Sequence, residues 1–480
     1  MVETSGQHGG PPSPDQHQVL VLKSAIYSRL LLVTLIILFR TLVSPYDTSA
    51  PLNPPCLSAP NATLLNHPSS LENAVVWDSV YFLRIAQCGY EYEQSFAFLP
   101  LLPFSASLFS FLALRPLLAL SAYVINNLAF VLAALYLYKL SLTLLNHPQM
   151  ALRAALLFCF NPASIFYSSI YSESLYALLC FGGMYHFVSG GNNLAVLFFA
   201  LSGCARSNGV LNAGYLCFQT MHRAYHALFH KNHVTLALQI AIVGALRSAC
   251  IFAPFVAFQA YGYYNMCVGR SPDEIRPWCK ARIPGVGFLR YFQLKQLPNF
   301  LLASPILSLA LCSVVYYAKS RPQNFFSLGF FTPMEEKNCV VFLSNDLSRS
   351  KETCNVEKSS VRVEEHFNLR RRKNVIKGDV ANVPIESEPA EAWPGYLSAS
   401  VLPFVLHLGF MACTAFFVMH VQVSTRFLSA SPPLYWFASY IMAYPAKSFR
   451  WVCCFQTSIL LLNEKKSRRF SLKAVALVEV

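Results

Sequence analysis

The side chains best placed to do chemistry are one loop aspartate and a few charged residues that interrupt apolar runs. Asp78 follows Trp77 in Val76-Trp77-Asp78-Ser79, between the first long apolar run and the second. An aromatic residue before a carboxylate, then a mostly apolar stretch to Tyr90, suits a short helix lying on a membrane interface. Trp and Tyr favour the headgroup level, and Phe82, Ile85 and Ala86 share a face at helical spacing. Asp78 would sit at the mouth of whatever cavity the spans enclose; the plainer alternative is a solvated acid in a loop.

Glu173 in Tyr171-Ser172-Glu173-Ser174 and Arg206 in Ala205-Arg206-Ser207-Asn208-Gly209 lie inside apolar runs. Inserting such charges into a bilayer costs about 2.5–3.5 kcal/mol each, so they mark either a site or a structural Glu–Arg pair. Asn208 adds a donor, and Gly209 a place where backbone can approach a ligand. Arg426, after His420 and Gln422, forms a donor-rich cluster suited to an anionic headgroup or to plain interfacial anchoring. Lys280, Arg282, Arg290 and Lys295, interleaved with aromatics, read as a loop that touches lipid headgroups.

The elements that hold these residues are membrane helices. The chain has 480 residues, 55% hydrophobic and 12% charged, against about 25% charged in soluble domains. Several runs reach the roughly 20 apolar residues that span a bilayer core. The expected fold class is an all-α polytopic membrane protein. The net charge of +14 collects at the edges of apolar runs, in Arg223 to Lys231, Arg370 to Lys373 and Lys465 to Arg469, as the positive-inside rule requires. No finger spacing or aromatic-interleaved basic face points to nucleic acid.

Residues 1–20 read as a polar cytoplasmic tail, and Lys23 to Val43 as a first span with Arg29 and Arg40 snorkelling from its ends. The loop over 44–97 carries Asn61-Ala62-Thr63, a glycosylation sequon that agrees with a luminal side. Phe98 to Leu114 and Ala122 to Leu145 follow as spans, with Arg115-Pro116 as a turn between them. Ala151 to Val188 is interrupted at Asn161-Pro162 and Tyr171 to Ser174, which predicts two helices or one broken helix whose polar break faces protein. Asn193 to Met221 and Val234 to Tyr261 are further spans, joined by a basic cytoplasmic loop. A second luminal loop covers 262–298. Thus 21–319 forms the expected catalytic region, 320–395 a polar cytoplasmic insert without apolar period, 396–462 a C-terminal membrane region and 463–480 a basic tail. The sequence shows eight firm apolar segments and up to three shorter ones.

Fifteen cysteines are scattered. Those in apolar runs, such as Cys180, Cys250, Cys312 and Cys413, act as small apolar residues. Cys56 with Cys88, and Cys267 with Cys279, lie in the two loops and can pair if those loops face an oxidising lumen. No cluster has metal-ligand spacing. No Walker loop, GxGxxG after a strand, HExxH or GxSxG is present, which argues against nucleotide-driven chemistry. Two classes remain: a glycosyltransferase acting on lipid substrates, with a carboxylate base and arginines for a lipid phosphate, and a secondary transporter of an anionic or lipid-linked solute. Transporters usually show two similar halves; the 76–103 pattern does not recur, which favours the transferase.

At these residues the chain resembles the GPI mannosyltransferase 2 family, the class V phosphatidylinositol-glycan proteins of the endoplasmic reticulum. The resemblance rests on Trp77-Asp78 with Gly89-Tyr90, Phe96 to Pro103, Phe160-Asn161-Pro162-Ala163, Tyr171-Ser172-Glu173 and Arg206-Ser207-Asn208-Gly209. Gly287 to Tyr291, Gln296 to Phe300, and His420-Val421-Gln422-Val423 with Thr425 to Leu428 extend it. It implies a GT-C architecture with a luminal active site in the endoplasmic reticulum membrane. The implied donor is dolichyl-phosphate mannose, and the implied acceptor a monomannosylated glucosaminyl-acylphosphatidylinositol that gains a second, α-1,6-linked mannose. By family position Asp78 is the base. Arg206 and Arg426 are candidates for the phosphate, with Trp77, Glu173, Asn208 and Gln422 as site supports. No cofactor or metal is implied, and an accessory membrane subunit is admitted as a partner. Two departures from the family pattern stand out. Val76 occupies the place of a frequent His, and Trp451 to Leu462 with its basic tail replaces an expected long last helix.

Overall fold

A computed structural model describes residues 14–42, 56, 75, 77–109, 115–268, 279, 288–289, 291–337, 341–343 and 395–444. Among them every regular element is helical. Five helices among the described residues are long and apolar enough to cross a membrane, so the protein is an all-α polytopic membrane protein. Among the described residues the other apolar segments form shorter helices.

Helix α1 (Pro14–Leu42) begins earlier than Lys23 and takes in residues assigned to the tail. Its Arg29 does not snorkel. It is 4% exposed and donates to oxygens on a neighbouring segment, which satisfies the cation inside the bundle. The expected short helix is present as α2 (Asp78–Cys88). The segment expected as a span over 98–114 gives only the nine-residue α3 (Leu101–Phe109) among the described residues. α3 packs under α2: Phe82 and Leu83 meet Leu102, Ala106 and the start of α4.

Helix α4 (Arg115–Leu145) is the central span. Against it pack α5 (Pro148–Cys159), the single turn α6 (Ser164–Ser168) and α7 (Glu173–Val188). The breaks between these three fall at Asn161-Pro162 and Tyr171-Ser172, as the sequence indicates. Pro162 has no amide to donate, and Asn161 turns its own amide onto the Phe158 carbonyl at 2.7 Å. Their interface is aromatic and dry: Phe130, Phe158 and Tyr167 are fully buried and meet stacked or edge-on.

Helices α8 (Asn192–Ala205) and α9 (Ala213–Phe229) are separated by a 3₁₀ turn over Ser207–Asn212. The long α10 (Val234–Cys267) runs six residues beyond the sequence boundary at Tyr261. It leaves Leu238, Ile242 and Leu246 on its outer face, as a lipid-facing span does. α11 (Leu297–Ser320), α12 (Leu402–Phe417), the turn α13 (Ser424–Leu428) and α14 (Pro432–Ala443) complete the bundle.

α14 is short but tightly held. Trp436 donates its ring N–H to Ser141 at 2.7 Å, and Ser439 donates to the Met150 carbonyl at 2.9 Å. Part of the polar insert folds back as well. Arg321 pairs with Glu336 at 3.0 Å, and Val341 and Phe342 are buried, because these apolar side chains have a place to go beside α9. Cys180 is buried as expected, whereas Cys250 and Cys413 lie on outer faces. Asn61, Val76, Arg290, the segment 451–462 and the basic tail lie outside the described residues.

Candidate active site

Four charged residues from distant parts of the chain meet at one end of the bundle. Asp78 opens α2, Glu173 opens α7, Arg206 ends α8, and Arg426 sits on α13. Three of them stand at helix ends and Arg426 within a single turn, so short breaks in the helices bring the four together.

Glu173 is the buried hub. Its Oε1 lies 2.5 Å from Arg206 Nη1 and accepts from Arg426 Nε at 2.6 Å. Arg426 Nη2 also donates to Asp78 Oδ2 at 3.1 Å. Side-chain exposure rises along the chain of contacts, from 2% at Glu173 through 19% at Arg206 and 21% at Arg426 to 35% at Asp78. The cluster is therefore a buried ion network with one carboxylate at its open end. Oδ1 of Asp78 is hydrogen-bonded to no described residue.

Burial pulls the Arg426 guanidinium down, and Glu173 and Asp78 more than reverse this, holding it above the ordinary arginine range. It stays a cation.

Two aromatic faces frame that cation. Arg426 Cζ stands 4.5 Å from the Phe166 ring centre and 4.8 Å from that of Tyr171. Such contacts strengthen when desolvated. Phe166 carries no signal in the sequence, and Tyr171 enters only through the motif it shares with Glu173, because nothing marks an aromatic residue in a membrane segment until a cation is seen on it.

The remaining candidates divide. Trp77 adjoins Asp78 with a positive φ of 53° and a largely exposed ring, so it borders the open end. Asn208 is buried in the turn beside Arg206, and its side-chain nitrogen meets no hydrogen-bond partner among the described residues. The donor expected there is thus in place. Gly209, in the same turn, approaches the end of α8 so closely that a Cβ on it would run into the Ser202 and Gly203 backbone. Gln422 is exposed in the turn before α13 and joins no contact of the cluster. His420 packs edge-on against Tyr291.

Disulfides Cys56–Cys88 and Cys267–Cys279 stand in both expected loops, the first anchored on the last residue of α2. Cys56, Cys88 and Glu91 lie close together. The two thiols are joined to each other, however, and Glu91 is paired with Arg84 at 2.6 Å, so the group is already committed.

The fold and site define a polytopic membrane protein with a carboxylate–arginine network at one end of its helices. The family model "Mannosyltransferase (PIG-V)" matches residues 18–463, and the chain belongs to that family. It is 30% identical to GPI alpha-1,6-mannosyltransferase 2 of Rattus norvegicus over 475 residues, covering 89% of this chain and 85% of the relative. It is 29% identical to the Homo sapiens protein of the same name, covering 90% and 85%. It is 30% identical to GPI mannosyltransferase 2 of Drosophila pseudoobscura pseudoobscura, covering 77% and 78%. No solved structure matches it. Membership in a mannosyltransferase family disfavours the transporter alternative.

Proposed function

We propose that the chain adds the second mannose, in α-1,6 linkage, to the GPI precursor. The donor in this reading is dolichyl-phosphate mannose, and the acceptor is monomannosylated glucosaminyl-acylphosphatidylinositol. The single observation that carries the site assignment is Arg426 bridging Asp78 and Glu173 within a chain of this family.

The donor is a β-phosphodiester and the product α-linked, so one in-line displacement with inversion suffices. Asp78, the most open of the four, takes the proton of the acceptor hydroxyl. The hydroxyl oxygen forms its bond to the anomeric carbon as the bond from that carbon to the phosphate oxygen breaks. Arg206 and Arg426 hold the departing phosphate, using guanidinium N–H groups that the carboxylates leave free. Glu173 fixes both arginines, and Trp77, Asn208 and Gln422 border the substrate. The guanidinium pair supplies the positive charge at the leaving group, so the reading invokes no cofactor.

Both disulfides favour an oxidising compartment, which supports an active site in the lumen of the endoplasmic reticulum. The same reading takes the bundle as a GT-C architecture, with 21–319 and 396–462 as its membrane regions.

Expression in cells that lack the second GPI mannosyltransferase, with surface GPI-anchored protein as the readout, tests this. The parent chain should restore the anchor; Asp78→Asn, at equal protein level, should not. Restoration by both would remove Asp78 as the base, and restoration by neither would remove the assigned reaction.

A further inference from the structure

Arg29 lies on α1, and no charged group among the described residues pairs with it. A buried cation inside an apolar bundle persists only if its surroundings satisfy it. Here one guanidinium does several jobs at once. Nη1 donates to Ser168 Oγ at 2.9 Å and to the Ser164 carbonyl at 3.1 Å. Nη2 donates to Ser164 Oγ at 2.7 Å and reaches the Cys159 carbonyl, at the end of α5, at 3.4 Å. The plane lies over the Phe130 ring of α4 at 3.6 Å. Both ends of α6 are therefore held by a single planar fork.

From α6 two routes lead to Arg426. Phe166 carries the guanidinium on its face. Tyr167 sits 2.8 Å from Ser429 Oγ, and that hydroxyl donates to the Arg426 carbonyl at 2.8 Å. Since the Ser429 hydrogen is used on Arg426, Tyr167 must be the donor to Ser429. One route fixes the head of Arg426 and the other its backbone.

We propose that Arg29 is a positioning residue for mannosyl transfer: through α6 it sets where Arg426 stands between Glu173 and Asp78. This rests on the site reading given above. Arg29 touches neither Asp78 nor Arg426. A lysine at the same place keeps the charge but not the fork, since an ammonium has no planar donor set to span Cys159, Ser164 and Ser168 together. An apolar residue of similar length fills the same space without a charge to satisfy, and replacing buried ionic groups in this way is often tolerated.

The test uses the full chain in membranes of cells lacking the second GPI mannosyltransferase, with initial transfer rates, protein level and melting temperature in detergent. Arg29→Met should accumulate and melt near the parent temperature, yet transfer at least tenfold more slowly. Arg29→Lys should not rescue the rate.

The decisive measurement is a cycle with Phe166→Leu. If Arg29 acts through α6, the double variant Arg29→Lys/Phe166→Leu should be about as slow as the slower single one. Full activity in Arg29→Met or Arg29→Lys overturns the proposal, as does a double variant whose loss is the product of the two single losses. If Arg29→Met does not accumulate, the cycle built on lysine decides alone. An active parent with an inactive Asp78→Asn, beside an unaffected Arg29→Met, removes this inference and leaves the site reading standing. An inactive parent removes the reading itself.

Discussion

Arg426 Nη2 stands 3.1 Å from Asp78 Oδ2, a contact between residues 348 positions apart in the chain. It joins the one carboxylate at the open end of the cluster to a cation whose other side is held by buried Glu173. The pair gives the site both parts an inverting transfer needs: a base for the incoming hydroxyl and positive charge for the outgoing phosphate.

Arg426→Gln removes the charge and shortens the side chain while keeping an amide donor. Loss of one donor of this kind typically costs about a hundred- to a thousandfold in rate. Initial transfer rates in microsomes, normalised to protein level, should fall by that much. A rate within threefold of the parent would assign Arg426 to membrane anchoring alone.

Glu173→Ala leaves two arginines facing each other without the carboxylate between them. Removing one partner of a buried ion network costs roughly 3–5 kcal/mol, so the variant should accumulate poorly and melt well below the parent. Glu173→Gln, which still accepts a hydrogen bond, should retain more of the fold. Equal melting of Glu173→Ala and the parent would show that the network contributes little to stability.

Gly209→Ala places a methyl group against the backbone of α8 at Ser202 and Gly203. Backbone cannot yield as a side chain does, and overpacking of this kind costs about 1–3 kcal/mol. The turn over Ser207–Asn212 should shift and carry Arg206 with it. Both protein level and specific transfer rate should drop; a parent-like rate would mean that the turn absorbs the methyl group without moving Arg206.

The Cys56–Cys88 bond ties the first loop to the end of α2, closing a sequence separation of 32. Native disulfides stabilise by about 2–4 kcal/mol. Dithiothreitol should slow transfer by the parent protein. The double variant Cys56→Ser/Cys88→Ser should be slow from the outset and respond less to reductant. If parent and variant respond alike, α2 is held without this bond.

Much of the fold was legible in the sequence because membrane helices announce themselves locally. The long apolar runs give α1, α4, α10, α11 and α12, and Asn161-Pro162 and Tyr171-Ser172 mark the breaks that the structure contains. The side chains of the cluster were legible too: Glu173 and Arg206 stand out as costly charges in apolar runs, Asp78 as the loop carboxylate after Trp77, and Arg426 as part of a donor-rich stretch with His420 and Gln422. What tertiary structure alone decided is which of them meet. Nothing in spacing says that Glu173 holds Arg206 and Arg426 together, or that Gln422 makes no contact with those charged side chains.

The same limit explains Arg29. Sequence reads an arginine within an apolar helix as one that snorkels to water. Only packing brings Ser164, Ser168 and the Cys159 carbonyl of a broken neighbouring helix around it. A sequence fixes hydrophobicity and charge residue by residue. The partners that satisfy a buried charge lie far along the chain, and three-dimensional packing alone selects them.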